Sequence, residues 1–144
     1  MAKSGFRLGA VLRARKAQED AAKAAVVRAR ADSATAVETV RTRERDLDGR
    51  RVPTAATSAA FAATLMARQA VAAEVAASIG VSELADETVR DRLHDLTDAA
   101  VQRRTIEKLQ ERHDLTRKRT RDAAETRAVD DLTTAAAHTK DGAR

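Results

Sequence analysis

Three histidines, His94, His113 and His138, are the side chains of this protein best suited to proton transfer or metal binding near neutral pH. None lies three or four residues from another, the spacing that would bring two imidazoles onto one helical face. The Glu-x-x-His pattern of helical di-iron sites is absent. Neither the G-x-x-x-x-G-K-[ST] loop nor the G-x-G-x-x-G loop occurs, so no phosphate cradle is encoded in those forms. The sequence has no Cys, which excludes a disulfide framework and thiolate chemistry. Its 22 acidic residues stand among 27 basic ones. Their ordinary role is in surface ion pairs worth about 0–1 kcal/mol each. These patterns predict no catalytic, cofactor-binding or metal-binding residue and no small-molecule substrate.

Two other constellations could carry function. Residues 112–121 form the most basic segment, and Arg117, Lys118, Arg119 and Arg121 crowd its second half. Such a run suits contact with nucleic-acid phosphates. It equally suits a solvated helix face, or a face that docks an acidic protein. No aromatic side chain interleaves for base stacking, and Asp114 and Asp122 flank the run, so nucleic acid is the less favoured partner. Phe61 and Leu65 stand in the least charged stretch, where they either cap a helical core or offer a patch to a partner.

The elements that carry these residues follow from composition. Leu, Ile, Val and Phe supply only 26 of 144 residues, whereas Ala supplies 34. Two Phe, no Tyr, no Trp, five Gly and one Pro are too few for a sandwich, a barrel or a doubly wound α/β domain. Ala is the best helix former and allows close helix approach, so the composition predicts long helices with thin contacts. The net charge of +5 favours acidic partners or anionic surfaces without choosing among them. No apolar segment follows the N-terminus, so no Sec-type signal peptide is expected, and no run is apolar enough for a membrane span.

Residues 6–48 read as the first arm. Steps of three and four join Leu8, Leu12, Arg15, Glu19, Ala22, Val26, Ala29, Ser33, Ala36, Val40, Arg43 and Leu47 into a heptad seam with polar interruptions. A turn is expected at 49–54, with Gly49 as a left-handed cap, Pro53 stopping the helix and Thr54 capping the next. The second arm reads as 55–138, with 139–144 frayed. Its first face would comprise Phe61, Leu65, Ala72, Val75 and Ile79, interrupted by Arg68. Gly80 predicts a kink or short break, with Ser82 as a fresh cap. Leu93, Leu96 and Ala100 form one later seam, Ile106 and Leu109 another, and Ala124, Ala128, Leu132 and Ala135 a final stripe. The fold class is therefore all-α: a single domain, 1–144, made of a long antiparallel two-helix coiled-coil hairpin. Because the second arm is the longer, part of it should extend past the first.

The sequence resembles the FliJ family of bacterial flagellar type III export. The family's opening F-x-L-x-x-[VL]-L-x-x-R pattern is matched by Phe6 to Arg15, and its following E-x-x-A by Glu19 to Ala22. A central F-x-x-x-L motif is matched by Phe61 and Leu65, and an L-x-E-R-like stretch by Ile106 to Arg112. A terminal E-Q-K-x-L-D-E-L-like signature is matched by Glu125 to Leu132, with Thr126 for Gln and Asp131 for Glu.

The resemblance implies a non-enzymatic cytoplasmic protein at the inner face of the cell membrane, similar to the stalk of rotary ATPases. It implies contact with the centre of the flagellar export ATPase hexamer, with the cytoplasmic domain of the export gate and with export chaperones, and only peripheral contact with the membrane. Leu8, Leu12, Val129 and Leu132 lie in the terminal motifs and would meet the ATPase ring. Phe61 and Leu65 would face the gate. Family members carry further aromatics near the end of the first helix, where this sequence has Arg43, Arg45 and Gly49, so gate binding there is either weaker or made through charge. Two rival readings remain open on the residues alone: a basic helical nucleic-acid-associated protein, and a structural homo-oligomeric coiled coil. A membrane-surface helix is disfavoured because Lys and Arg do not segregate onto one face.

Overall fold

The structure, a computed structural model, describes the backbone of residues 8–141 and the side chains of residues 8–135. Phe6, residues 142–144 and the side chain of His138 lie outside the described residues, whereas residues 139–141, expected to fray, are helical. Two helices pack into a helical hairpin: α1, Leu8–Gly49, and α2, Ser58–Asp141. Among the described residues there is no strand and no helix long and apolar enough to cross a membrane.

By packing, the protein divides into two units: residues 16–100, and residues 1–15 with 101–144. In the first unit, α1 covers Glu19, Ala22, Val26, Ala29, Ser33, Ala36, Val40, Arg43 and Leu47, the positions that the heptad steps pick out. Only Val26, Ala29 and Val75 are buried apolar residues among those described. A fully buried Val contributes about 1.5–3 kcal/mol, so apolar burial alone holds this pair of helices weakly. Polar contacts across the seam supplement it. Arg43 Nη1 donates to Ser78 Oγ at 2.8 Å and to the Glu74 carbonyl at 3.0 Å, while Ser78 Oγ donates to that same carbonyl at 2.6 Å. Ser33 Oγ donates to Asp86 Oδ1 at 2.6 Å.

The face that α2 turns to α1 differs from the expected one. Its covered positions include Thr64, Arg68, Val71, Val75, Ser78, Ser82, Ala85 and Val89, and further on Leu96 and Ala100 but not Leu93. Of the expected Phe61, Leu65, Ala72, Val75 and Ile79, only Val75 is buried; the other four are exposed. The apolar reading lost to a polar one for a geometric reason. Small residues at 75, 78, 82 and 85 permit close approach, and Arg68 closes the end of α1. Its Nη1 donates to the Leu47 carbonyl at 3.3 Å and to the Arg50 carbonyl. Arg68 therefore belongs to the seam rather than interrupting it.

The turn also departs from expectation. Gly49 is the last residue of α1 and has no positive φ, so the left-handed cap does not form. The Arg50 N–H donates to the Leu47 carbonyl at 3.2 Å, and Arg68 supplies what the glycine cap would have given. The link spans 50–57, and α2 starts at Ser58 rather than at 55. Thr57, not Thr54, is its cap: the Ala60 N–H donates to Thr57 Oγ1 at 3.3 Å. Nor does the helix break at Gly80. It runs through unbroken, and Ser82 begins nothing. A continuing i to i−4 ladder on both sides outweighs the roughly 1 kcal/mol that one glycine costs.

In the second unit the covered positions of α1 are Leu8, Gly9, Leu12 and Arg15. Those of α2 are Arg103, Ile106, Glu107 and Gln110. Arg15 Nη1 donates to Gln102 Oε1 at 2.6 Å, and Arg103 pairs with Glu107. Ile106 is covered, but Leu109 is 45% exposed, so the expected Ile106–Leu109 seam is only half formed. From Glu111 to Ala135 every side chain is exposed. The final stripe of Ala124, Ala128, Leu132 and Ala135 is thus a surface, not a core.

Two stability changes follow. A Cβ at Gly80 would meet nothing within 4 Å. Gly80→Ala should therefore raise stability by about 1 kcal/mol, measured by urea unfolding followed by circular dichroism. Arg68→Ala removes two carbonyl contacts at the end of α1 and should cost about 1–2 kcal/mol in the same assay.

Candidate functional site

Charge on α1 is organised locally. Lys23 Nζ lies 2.9 Å from Glu19 Oε1 and 3.6 Å from Asp20 Oδ1. The hydrogen bond to Glu19 holds the Lys23 ammonium above its ordinary pKa. Glu19 itself is buried in the seam. Arg41 and Arg45, a like-charge pair one turn apart, share Glu38 at 3.8 and 2.7 Å, which offsets their repulsion. On α2, His94 Nδ1 lies 3.3 Å from Asp98 and His113 Nδ1 3.7 Å from Asp114. Both are exposed, and no group of three or more His, Asp or Glu side chains among the described residues could hold a metal ion. Threonines along both helices return their hydroxyls to the i−4 carbonyl, as Thr35, Thr64 and Thr116 do at 2.9–3.0 Å. Thr35 and Glu38 line an open groove with Arg43 and Glu74, but it gathers no catalytic set of side chains. What the structure offers is surface.

The structure separates the residues grouped at the two termini. Leu8 and Leu12 are half-covered in the pairing with residues 101–110. Val129 and Leu132 are 58% and 71% exposed. Arg15 pairs with Gln102, so the start of α1 lies abreast of Leu109 and Gln110. Leu132 is therefore about 33 Å further along α2, at roughly 1.5 Å per residue. These four side chains do not form one patch: Leu8 and Leu12 stabilise the helix pair, while Val129 and Leu132 stand open to solvent.

Phe61 and Leu65 are 47% and 45% exposed. Phe61 lies on the line of the α2 seam, one step before Thr64, where α1 has already ended. Met66, 70% exposed, adds to this apolar surface beside the turn. Sequence reading missed Met66, whose only signal was its place next to Leu65. It also missed Arg68, whose charge disguised a seam position.

The basic residues do not make one face. α2 is continuous there, so at about 100° per residue Arg117 and Arg121 share one side and Arg119 points about 160° from each of them. Lys118 stands between. All four are exposed. A phosphate backbone would meet only part of such a wrapped distribution.

A family model described as Flagellar FliJ protein matches residues 4–142. No curated protein and no solved structure matches the sequence. With the helical hairpin, the heptad seam and a match over almost its whole length, the protein belongs to the FliJ family, a family of flagellar export components.

Proposed function

We propose that this protein is a non-enzymatic component of flagellar type III export that binds the export ATPase hexamer as a stalk. In this reading it couples the ring to the cytoplasmic domain of the export gate and makes chaperone contacts. It would work in the cytoplasm, against the inner face of the cell membrane. The observation that carries the reading is the exposed helical stretch Glu111–Ala135. A helix that runs on so far beyond its last covered position has no folding reason to be there, because isolated helices of that kind are marginal in water. A ring with a central opening gives it a binding partner. Family membership supports the choice of partner.

Val129 and Leu132 are the side chains we assign to the ring, with Leu8 and Leu12 in a supporting role, holding the extension in place. Phe61 and Leu65, with Met66 beside them, are assigned to the gate. Polyanion binding is the weaker reading, since Arg117 and Arg119 point apart.

Titrating the export ATPase of the same organism with this protein should give a saturable rise in ATP hydrolysis. Val129→Asp with Leu132→Asp should shift the half-maximal concentration upward by about tenfold, the effect of losing roughly 1.4 kcal/mol at an interface. Helicity should be unchanged, because both side chains are exposed. A flat titration with both proteins folded would exclude the stalk role. Phe61→Ala with Leu65→Ala should leave this stimulation intact and reduce capture by the gate domain.

A further inference from the structure

Past Gln110, α2 continues the composition of the covered seam with every side chain to Ala135 exposed. Steps of three and four put Arg117, Arg121, Ala124, Ala128, Leu132 and Ala135 on one stripe. Within the hairpin the same recipe, arginine stems laid over small residues, joins Arg43 to Ser78. The stripe is thus a seam in kind, left open.

Charge says what closes it. Residues 112–121 carry five bases against Asp114 alone. Residues 122–131 carry four acids, Asp122, Glu125, Asp130 and Asp131, against Arg127 alone. Among the described residues, Arg117, Lys118, Glu125 and Asp131 make no ion pair within the molecule. A segment with a basic first half and an acidic second half is complementary to itself when reversed. It repels itself when aligned in the same direction.

We infer that two copies of this protein pair antiparallel through residues 111–134. The two-fold axis falls between Asp122 and Ala123. Arg121 then lies across the second copy's Ala124 and Arg117 across its Ala128. Arg117 comes within reach of the second copy's Asp131, and Lys118 within reach of its Glu125; Asp130 points about 160° away from Ala128 and takes no part. The contact is isologous, so the dimer closes and does not grow into a filament. Its length is about 36 Å at roughly 1.5 Å per residue. A two-helix contact of that size sits near the lower limit of about 1,000 Å² for a stable interface, so the dimer is weak and reversible. The inference does not rest on the stalk role: Leu132 serves both surfaces, so the weak dimer separates before the ring is bound, and the readout involves no ATPase.

Sedimentation velocity at low ionic strength tests it. The mass should rise with concentration from 15.5 kDa to twice that value. Raising the salt to about 0.5 M should weaken the association roughly tenfold, since the Debye length falls to a few ångströms. Arg117→Glu with Lys118→Glu should abolish pairing, and so should Glu125→Lys with Asp131→Lys. A variant carrying all four changes should pair again, because reversal at both ends restores the antiparallel match. Circular dichroism should be the same for all, since these residues are exposed. A wild type that stays monomeric at every concentration would overturn the inference. So would a fourfold variant that stays monomeric while the wild type pairs, and so would pairing that survives either half-reversal.

Discussion

The guanidinium of Arg43 lies in the seam between the two helices, on Ser78 Oγ and the Glu74 carbonyl. The rest of the hairpin depends on that kind of contact. With three buried apolar residues among those described, the hydrophobic effect alone cannot fix how α2 slides or turns against α1. Alanine and serine let the backbones approach, but alanine surfaces are nearly featureless and would tolerate several registers. Directional hydrogen bonds from arginine are not so tolerant. Arg43, Arg68 and Arg15, each bonded to one defined place on the opposite helix or turn, set the rotation of α2 and the point where α1 stops.

That constraint also explains what was legible. All twelve heptad positions named for α1, from Leu8 to Leu47, are covered or partly covered. They were readable because Val26, Ala29, Val40 and Leu47 keep period while charges fill the other faces. On α2 the same method selected the large apolar residues and was misled. Phe61, Leu65 and Ile79 look like core, but the seam passes through Arg68, Val71 and Ser78. Hydropathy ranks arginine last, and its long apolar stem, which lets it cross a seam, is invisible to that ranking. At the turn, the left-handed glycine gave way to Arg68 for the same reason: a distant side chain satisfied carbonyls that local sequence reading assigned to Gly49.

The surfaces follow from the seam. Turning Arg68 and Ser78 inward turns Leu65 and Met66 outward, while Phe61, on the seam line, is exposed because α1 has already ended there. Beyond Gln110 the side chains of α2 are exposed as far as Ala135, and with them the segregated charges and the Val129–Leu132 pair. In the proposed role, so sparse a core leaves surface for more than one partner. The terminal motifs grouped Leu8 and Leu12 with Val129 and Leu132. The distance between the two pairs could not be read without the register, which fixes where along α2 the first helix begins.

The most direct test of this account is a double-mutant cycle on Arg43 and Ser78. Urea unfolding of Arg43→Ala, Ser78→Ala and the double variant gives the coupling between them. An arginine that sets the register through this hydrogen bond predicts a coupling of about 1 kcal/mol, within the range for residues in one hydrogen-bond network. A coupling of zero, with the single changes simply adding, would mean that alanine packing alone aligns the helices and that the arginine seam is incidental.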